Sequence, residues 1–177
     1  MNSNRRFPRR RSVRLSDFDY SQPGSYFLTI CSARRQCIFG SLANGTLVET
    51  ALGRIVRVCW QPIPEHFPHV ETDDFVLMPN HLHAILNIKR PSALCGRHAS
   101  EALSSPSTGS VPTIVRTFKA AVTRQARELG VITTVWQSGY FEHVIRDAKE
   151  YAEISNYIAL NPLRWRFDES HPKFIIG

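Results

Sequence analysis

Two short stretches carry residue types that chemistry needs. The first, residues 78–88, reads MPNHLHAILNI and sets His81 and His83 one residue apart inside an apolar run. Side chains alternate across a strand, so these imidazoles share one face while Leu82 and Ala84 take the other. Two imidazoles placed this way can hold one cation. The pattern fits zinc enzymes and cupin sites as well as nucleases, and it also fits two hydrogen-bonded histidines with no ligand. The second stretch, residues 156–162, reads NYIALNP and places Tyr157 and Asn161 four residues apart. On a helix that spacing puts the phenol and the amide on one face and leaves Ile158 and Leu160 for the core. Two imidazoles, an amide oxygen and water or phosphate oxygens make a mixed site, suited to Mg²⁺ or Mn²⁺ more than to structural zinc.

The elements that must position these groups follow from periodicity and turn signals. Residues 25–31, SYFLTIC, follow a Pro23-Gly24 turn and read as a first strand. Asn44-Gly45 predicts a hairpin with arms at 37–40 and 46–49. From Thr50, a capping residue, apolar positions such as Leu52, Ile55, Val56 and Cys59 keep helical spacing until Pro62 and Pro64. Residues 70–78 and 81–88 read as strands joined by Pro79-Asn80, so the histidines open a strand. Residues 90–111, rich in Ser, Pro and Gly, read as a mobile loop. A basic amphipathic helix spans 112–129 and stops at Gly130, and a short strand covers 140–145. Asp147 then caps a last helix over 148–160, which Pro162 ends. This order predicts an α+β domain of ferredoxin-like type, an antiparallel sheet with helices packed on one face.

With 177 residues, 42% of them hydrophobic and 10% aromatic, the chain suits a single folded domain over 15–177. It contains no run of about 18 apolar residues to span a bilayer, and its N-terminus lacks the apolar centre of a signal peptide. A cytoplasmic location with no membrane partner is expected. Cys31, Cys37, Cys59 and Cys95 share no metal-binding spacing and read as reduced thiols. The net charge of +7 is uneven: Arg5, Arg6, Arg9, Arg10, Arg11 and Arg14 stand in a stretch, 1–14, that contains no acid. Such an arm suits phosphate contact and counterion release, although a solubilising tail explains the same run. Lys119, Arg124, Arg127, Arg146 and Arg164 are further candidate phosphate contacts. Trp136, Tyr140, Phe141 and Trp165 could stack on unpaired bases at about 1–3 kcal/mol each, but aromatics in a domain of this size more often belong to its core.

Four blocks carry a family resemblance: RRRSVRLSDFDYSQPGSYFLTIC, FVLMPNHLHAILNI, VWQSGYFEHVIRD and NYIALNPLRW. In this order they resemble REP-associated tyrosine transposases, a branch of the single-tyrosine HUH (His-hydrophobic-His) nucleases that cut and rejoin single-stranded DNA. The resemblance runs over residues 9–165. It implies Tyr157 as nucleophile, His81 and His83 as metal ligands, and Asn161 as a third ligand where related branches carry glutamine. His143 falls in a family motif and is either a support of the site or a cap on the sheet edge. The resemblance further implies a divalent ion, Mg²⁺ or Mn²⁺, as cofactor. Its partner would be single-stranded or hairpin DNA of the repetitive extragenic palindrome (REP) type, cut through a covalent 5′-phosphotyrosine. Two other readings use the same residues: a transposase-derived protein that binds hairpin DNA without cutting it, and a metallohydrolase with a water nucleophile. Either a monomer or a homodimer fits the sequence.

Overall fold

The computed structural model describes residues 19–89 and 109–168. Strand β1 (Gly24–Cys31) leads to a hairpin of β2 (Gly40–Ala43) and β3 (Thr46–Glu49), then to helices α1 (Ala51–Trp60) and α2 (Ile63–His66). Strands β4 (Val70–Leu77) and β5 (His81–Ile88) follow, then helix α3 (Val111–Glu128), strand β6 (Phe141–Ile145) and helix α4 (Ala148–Arg164). The main sheet is antiparallel with strand order β4-β5-β1-β6. Helices α1 and α3 supply the two crossovers, which makes this the expected ferredoxin-like α+β arrangement.

Local signals act as their chemistry requires. Asn44 and Gly45 both adopt left-handed conformations, φ 52° and 75°, and close a two-residue hairpin turn. The first hairpin arm begins at Gly40 rather than residue 37, because Phe39 is committed elsewhere: its N–H donates to Pro79 O and its ring is buried in the core. Thr50 Oγ1 accepts from Gly53 N at 3.0 Å, and Asp147 Oδ1 accepts from Glu150 N at 2.8 Å, so both predicted caps form. Helix α3 starts at Val111, inside the expected 90–111 loop; residues 90–108 and the basic arm 1–14 lie outside the described residues.

Alternation along β1 and β5 separates two apolar clusters. Tyr26, Leu28 and Ile30, with Leu82, Ala84 and Leu86, face α1 and α3 and join Val56, Trp60 and Phe118. Phe27 and Ile85 point the other way, against Ile154 and Ile158 of α4. Packing on one face therefore describes α1 and α3, whereas α4 lies across the opposite face. Its buried stripe needs an apolar partner, and the first face is already filled.

Helix α4 also differs from expectation in length. It continues through Pro162 to Arg164 and into a 3₁₀ turn over Trp165–Phe167, instead of stopping at Leu160. A proline inside a helix costs about 3 kcal/mol by removing one N–H and crowding the preceding turn. Burial of Ile154 and Ile158 against Phe27 and Ile85 of the sheet offsets that local cost. Polar contacts tie the first turn of α4 to both sheet edges. His143 Nε2 on β6 meets Glu150 Oε1 at 2.8 Å, and Glu150 Oε2 accepts from Arg146 N at 2.8 Å. On the other edge a register shift in β4 between Thr72 and Phe75 spans Asp73, whose carboxylate accepts from the Tyr151 hydroxyl.

Helix α1 crosses the chain near Phe39 so closely that a Cβ on Gly53 would lie 2.1 Å from the Phe39 carbonyl oxygen. Replacing helical glycine by alanine usually stabilises by about 1 kcal/mol. Gly53→Ala should instead destabilise by about 1–3 kcal/mol, seen as a lower urea midpoint at unchanged denaturant sensitivity.

Candidate functional site

Strand β5 is internal to the sheet and covered on both faces, so His81 and His83 lie in the interior, 0% and 5% exposed. Register sets His81 opposite Cys31 and His83 opposite Thr29. A polar neighbour orients each ring. His81 Nδ1 lies 2.8 Å from Asn80 Oδ1, while Asn80 Nδ2 donates to Arg35 O at 2.9 Å. That second bond fixes the amide, so its oxygen accepts and His81 carries its hydrogen on Nδ1, leaving Nε2 bare. His83 Nδ1 lies 2.8 Å from Thr29 Oγ1. The two Nε2 atoms face each other at 3.0 Å. Two arrangements fit this distance: if Thr29 Oγ1 donates to His83 Nδ1, His83 Nε2–H donates to His81 Nε2, and if Thr29 Oγ1 accepts from His83 Nδ1, two lone pairs converge on the point a shared cation would take. Burial, reinforced by the Arg35 charge, pushes His81 down to about 3, and burial followed by the neighbouring His81 lowers His83 well below the usual histidine range. Both rings are therefore neutral near pH 7, the form that ligates metals.

Helix α4 brings the second set of groups to this face. The Tyr157 hydroxyl lies 3.3 Å from His83 Nε2. Phe27 stacks on His83 with ring centres 5.3 Å apart and meets Tyr157 edge-on at 6.1 Å. Asn161 is buried; its Nδ2 donates to Asp168 Oδ2 at 3.4 Å, and its Oδ1 has no hydrogen-bond partner. His81, His83 and Asp168 offer ligand atoms that all lie within 4.8 Å of one another. Two neutral imidazoles and a carboxylate form a donor set that suits a divalent cation.

The structure thus gathers His81, His83 and Tyr157 as the sequence suggests, and adds Asp168, which the sequence reading missed. Asn161 sits beside that carboxylate. The missing signal was spacing: Tyr157, Asn161, Trp165 and Asp168 follow one another at intervals of four, four and three, one helical face carried past Pro162. Ending the helix at Leu160 hid it. Trp165 belongs to the same corner, its ring 6.0 Å from that of His81.

Other expected residues have different surroundings. His143 faces the same side as Phe27 and anchors the first turn of α4 through Glu150. Trp136 is a core residue that packs on Phe39 and Phe118 and donates Nε1 to Lys119 O at 3.2 Å. Tyr140 packs against the larger cluster and Phe141 against the smaller. Lys119 Nζ donates to Gln137 O and Gly139 O, and burial pushes its pKa down to about 8. With Arg124, Arg127 and Trp136 it lines an open groove of ≈ 730 Å³. Arg146 and Arg164 are exposed, and Arg5, Arg6, Arg9, Arg10, Arg11 and Arg14 lie outside the described residues. Cys31, Cys37 and Cys59 are free thiols, as expected, while Cys95 is not among the described residues.

No family model matches the chain. An uncharacterized protein of Haemophilus influenzae is 41% identical over 165 residues, covering 90% of this chain and 92% of its own. A second protein of that organism, named "Putative REP-associated tyrosine transposase", is 26% identical over 151 residues, 85% of this chain and 77% of its own. A solved REP-associated tyrosine transposase bound to a REP hairpin shares the fold with a TM-score of 0.55 at 19% identity, over 90% of this chain and 73% of that one. In sequence and fold the chain resembles the REP-associated tyrosine transposases. The described part of the chain includes no helix long and apolar enough to cross a membrane.

Folding lowers both imidazole pKa values from 6.5, so below that pH the unfolded chain takes up protons that the folded chain refuses, in the case of His81 down to about 3. The stability these rings contribute is complete above pH 6.5 and is lost as pH falls from 6.5 towards 3. The urea midpoint of the metal-free protein should fall across that window. Nitrogen NMR should find His81 still neutral and protonated on Nδ1 at about pH 5, and Asn80→Ala should abolish that single tautomer.

Proposed function

We propose that the protein is a metal-dependent endonuclease and strand transferase acting on single-stranded or hairpin DNA, with Tyr157 as its nucleophile. The observation that carries this reading is the Tyr157 hydroxyl, 3.3 Å from His83 Nε2 and beside a donor set fit for a cation. Holding a cation needs no tyrosine there, whereas delivering an oxygen to a phosphate held at the same point does.

His81, His83 and Asp168 would hold Mg²⁺ or Mn²⁺, with Asn161 Oδ1 as a further oxygen donor. When bound, the divalent ion supplies positive charge that offsets charge building on the phosphate and favours the phenolate. Tyr157 attacks phosphorus; the new O–P bond forms as the P–O3′ bond breaks, which leaves a 5′-phosphotyrosine. A phenol has an ordinary pKa of about 10, so its proton leaves as the bond forms, and the departing 3′-oxygen takes one up to become a hydroxyl. Attack by that hydroxyl on the phosphotyrosine reverses the step and rejoins the strand, since the energy of the phosphodiester is kept in the link. Asn80 and Thr29 hold the two imidazoles in orientation, Phe27 excludes water from one side of His83 and Tyr157, and His143 with Glu150 sets the start of α4. The relative bound to a REP hairpin supports DNA of that type as partner. The arginine arm over 1–14, with Arg124, Arg127, Arg146 and Arg164, would supply phosphate contacts, and the reading places the protein in the cytoplasm. Lys119 would reach phosphate only by giving up its carbonyl partners.

The test is an end-labelled REP-type hairpin incubated with protein and Mg²⁺ or Mn²⁺ and resolved on a denaturing gel. Wild type should yield a cut strand and a covalent protein–DNA band. Tyr157→Phe should lose both while hairpin affinity changes less than about 3-fold, and His83→Ala and Asp168→Ala should each cut roughly 10²–10³-fold more slowly. Cutting that survives Tyr157→Phe would indicate a water nucleophile, and binding without cutting would indicate a recognition protein.

A further inference from the structure

Helix α3 buries Phe118, Val122 and Ala126 and turns Arg116, Arg124 and Arg127 to solvent. Its one acid is Glu128. Arg124 and Arg127 make no hydrogen bond or ion pair among the described residues. They line the open groove of ≈ 730 Å³ together with Lys119, Ala120 and Glu128 of the same helix and Trp136 beyond it. From Lys119 to Arg127 the helix rises about 12 Å. The groove is therefore long for a single ion, and two uncommitted guanidiniums face one carboxylate in it. A guanidinium matches two oxygens of a phosphate at once, so a phosphodiester chain has the complementary charge and geometry.

One end of the groove adjoins the candidate site. Residues 135–137 pair with residues 31–33 beside β1: Ala33 N donates to Val135 O at 2.9 Å, and Gln137 N to Cys31 O at 3.0 Å. Lys119 Nζ donates to Gln137 O at 3.0 Å and fastens this edge to α3. Cys31 stands opposite His81 of β5. Gln137 is thus two strand spacings from His81, roughly 10 Å. The groove lies on the α3 side of the sheet while the histidines face α4, so a chain that occupies both passes round this edge. That span is about three nucleotides at the 3.4 Å rise of a duplex strand. A duplex, with a persistence length of about 50 nm, does not bend on such a scale. An unpaired strand does.

We propose that the α3 groove binds the unpaired DNA flank of the hairpin next to the cut, an inference that rests on the function proposed above and names the segment of DNA involved. Arg124 and Arg127 hold its phosphates, and the strand continues round residues 135–137 to Tyr157. The paired stem lies outside the groove.

Binding to the full chain in a Tyr157→Phe background tests it, with a REP-type hairpin that carries or lacks its unpaired flanks. The flanks should raise affinity about 10-fold in this parent. Arg124→Gln combined with Arg127→Gln should reduce the gain to less than about 2-fold, and the slope of log affinity against log salt for the flanked hairpin should shrink by about 1.4, two phosphates at about 0.7 each. Ala120→Glu, an exposed change that leaves both arginines in place, should also remove the gain, and Ala120→Lys should enlarge it. A damaged fold would weaken binding whichever charge is introduced, so opposite effects at Ala120 identify the contact. No flank gain in the parent, or a gain that survives the arginine changes, would overturn the proposal. An equal loss for the hairpin without flanks would overturn it too, since the groove would then hold the stem. A flank gain lost as expected, in a protein whose Tyr157 form never cuts, would instead overturn the strand-transfer reading and leave the groove standing.

Discussion

Strand β5 is covered on both faces, and its register against β1, with Cys31 opposite His81 and Thr29 opposite His83, decides which side chains enter which core. A slip of one residue would drive both imidazoles into the cluster beneath α1 and α3 and turn Leu82 and Ala84 towards α4. Thr29 and Asn80 would then lose their partners on the rings, and buried polar groups without partners cost roughly 1–3 kcal/mol each. The register is therefore specified twice, once by apolar side chains and once by polar bonds. The candidate site exists because both specifications agree.

The two sides of the sheet carry different duties. The larger cluster unites the sheet with α1 and α3 and includes Trp60, Phe118 and Trp136, which makes it the main source of hydrophobic stabilisation. The smaller cluster holds α4 with Phe27, Ile85, Ile145, Ile154 and Ile158. Polar ties at the two sheet edges, Glu150 with His143 and Tyr151 with Asp73, add direction to that modest apolar contact. A helix held in this way keeps Tyr157 near His83 without every contact around it being part of the main core. Several buried polar residues gather around the candidate site: Asn80, His81, His83 and Asn161 are all nearly inaccessible to solvent. Interiors accept such groups when their bonds are satisfied; Asn161 Oδ1 has no hydrogen-bond partner, and a ligand bound beside it would supply one.

Much of this was legible along the chain. Alternation in residues 81–88 placed both histidines on one face, the Asn44-Gly45 pair marked the hairpin, and Thr50 and Asp147 capped their helices. These signals are local, because each depends on side chains within a few residues of one another. The extent of α4 was not legible, since proline argues for a stop on local grounds alone. Its continuation depends on burial of Ile154 and Ile158 against strands far away in sequence. Asp168 was missed for that reason, and Asn80 read only as a turn residue.

The sequence by itself determined the elements, their caps, the shared face of His81 and His83, and the phase of Tyr157 with Asn161 on one helix. Those follow from the periods of strand and helix and from the conformations that individual residues accept. Only the tertiary structure decided that α4 lies on the face opposite α1 and α3, that Tyr157 reaches His83, that Asp168 joins the histidines, and that Asn80 links the Arg35 backbone to His81. Each of these is a meeting of residues distant along the chain, settled by which apolar stripe finds an unfilled surface and which buried polar atoms find partners. Periodicity carries no information about such meetings, because it describes a side chain's direction and not what waits there.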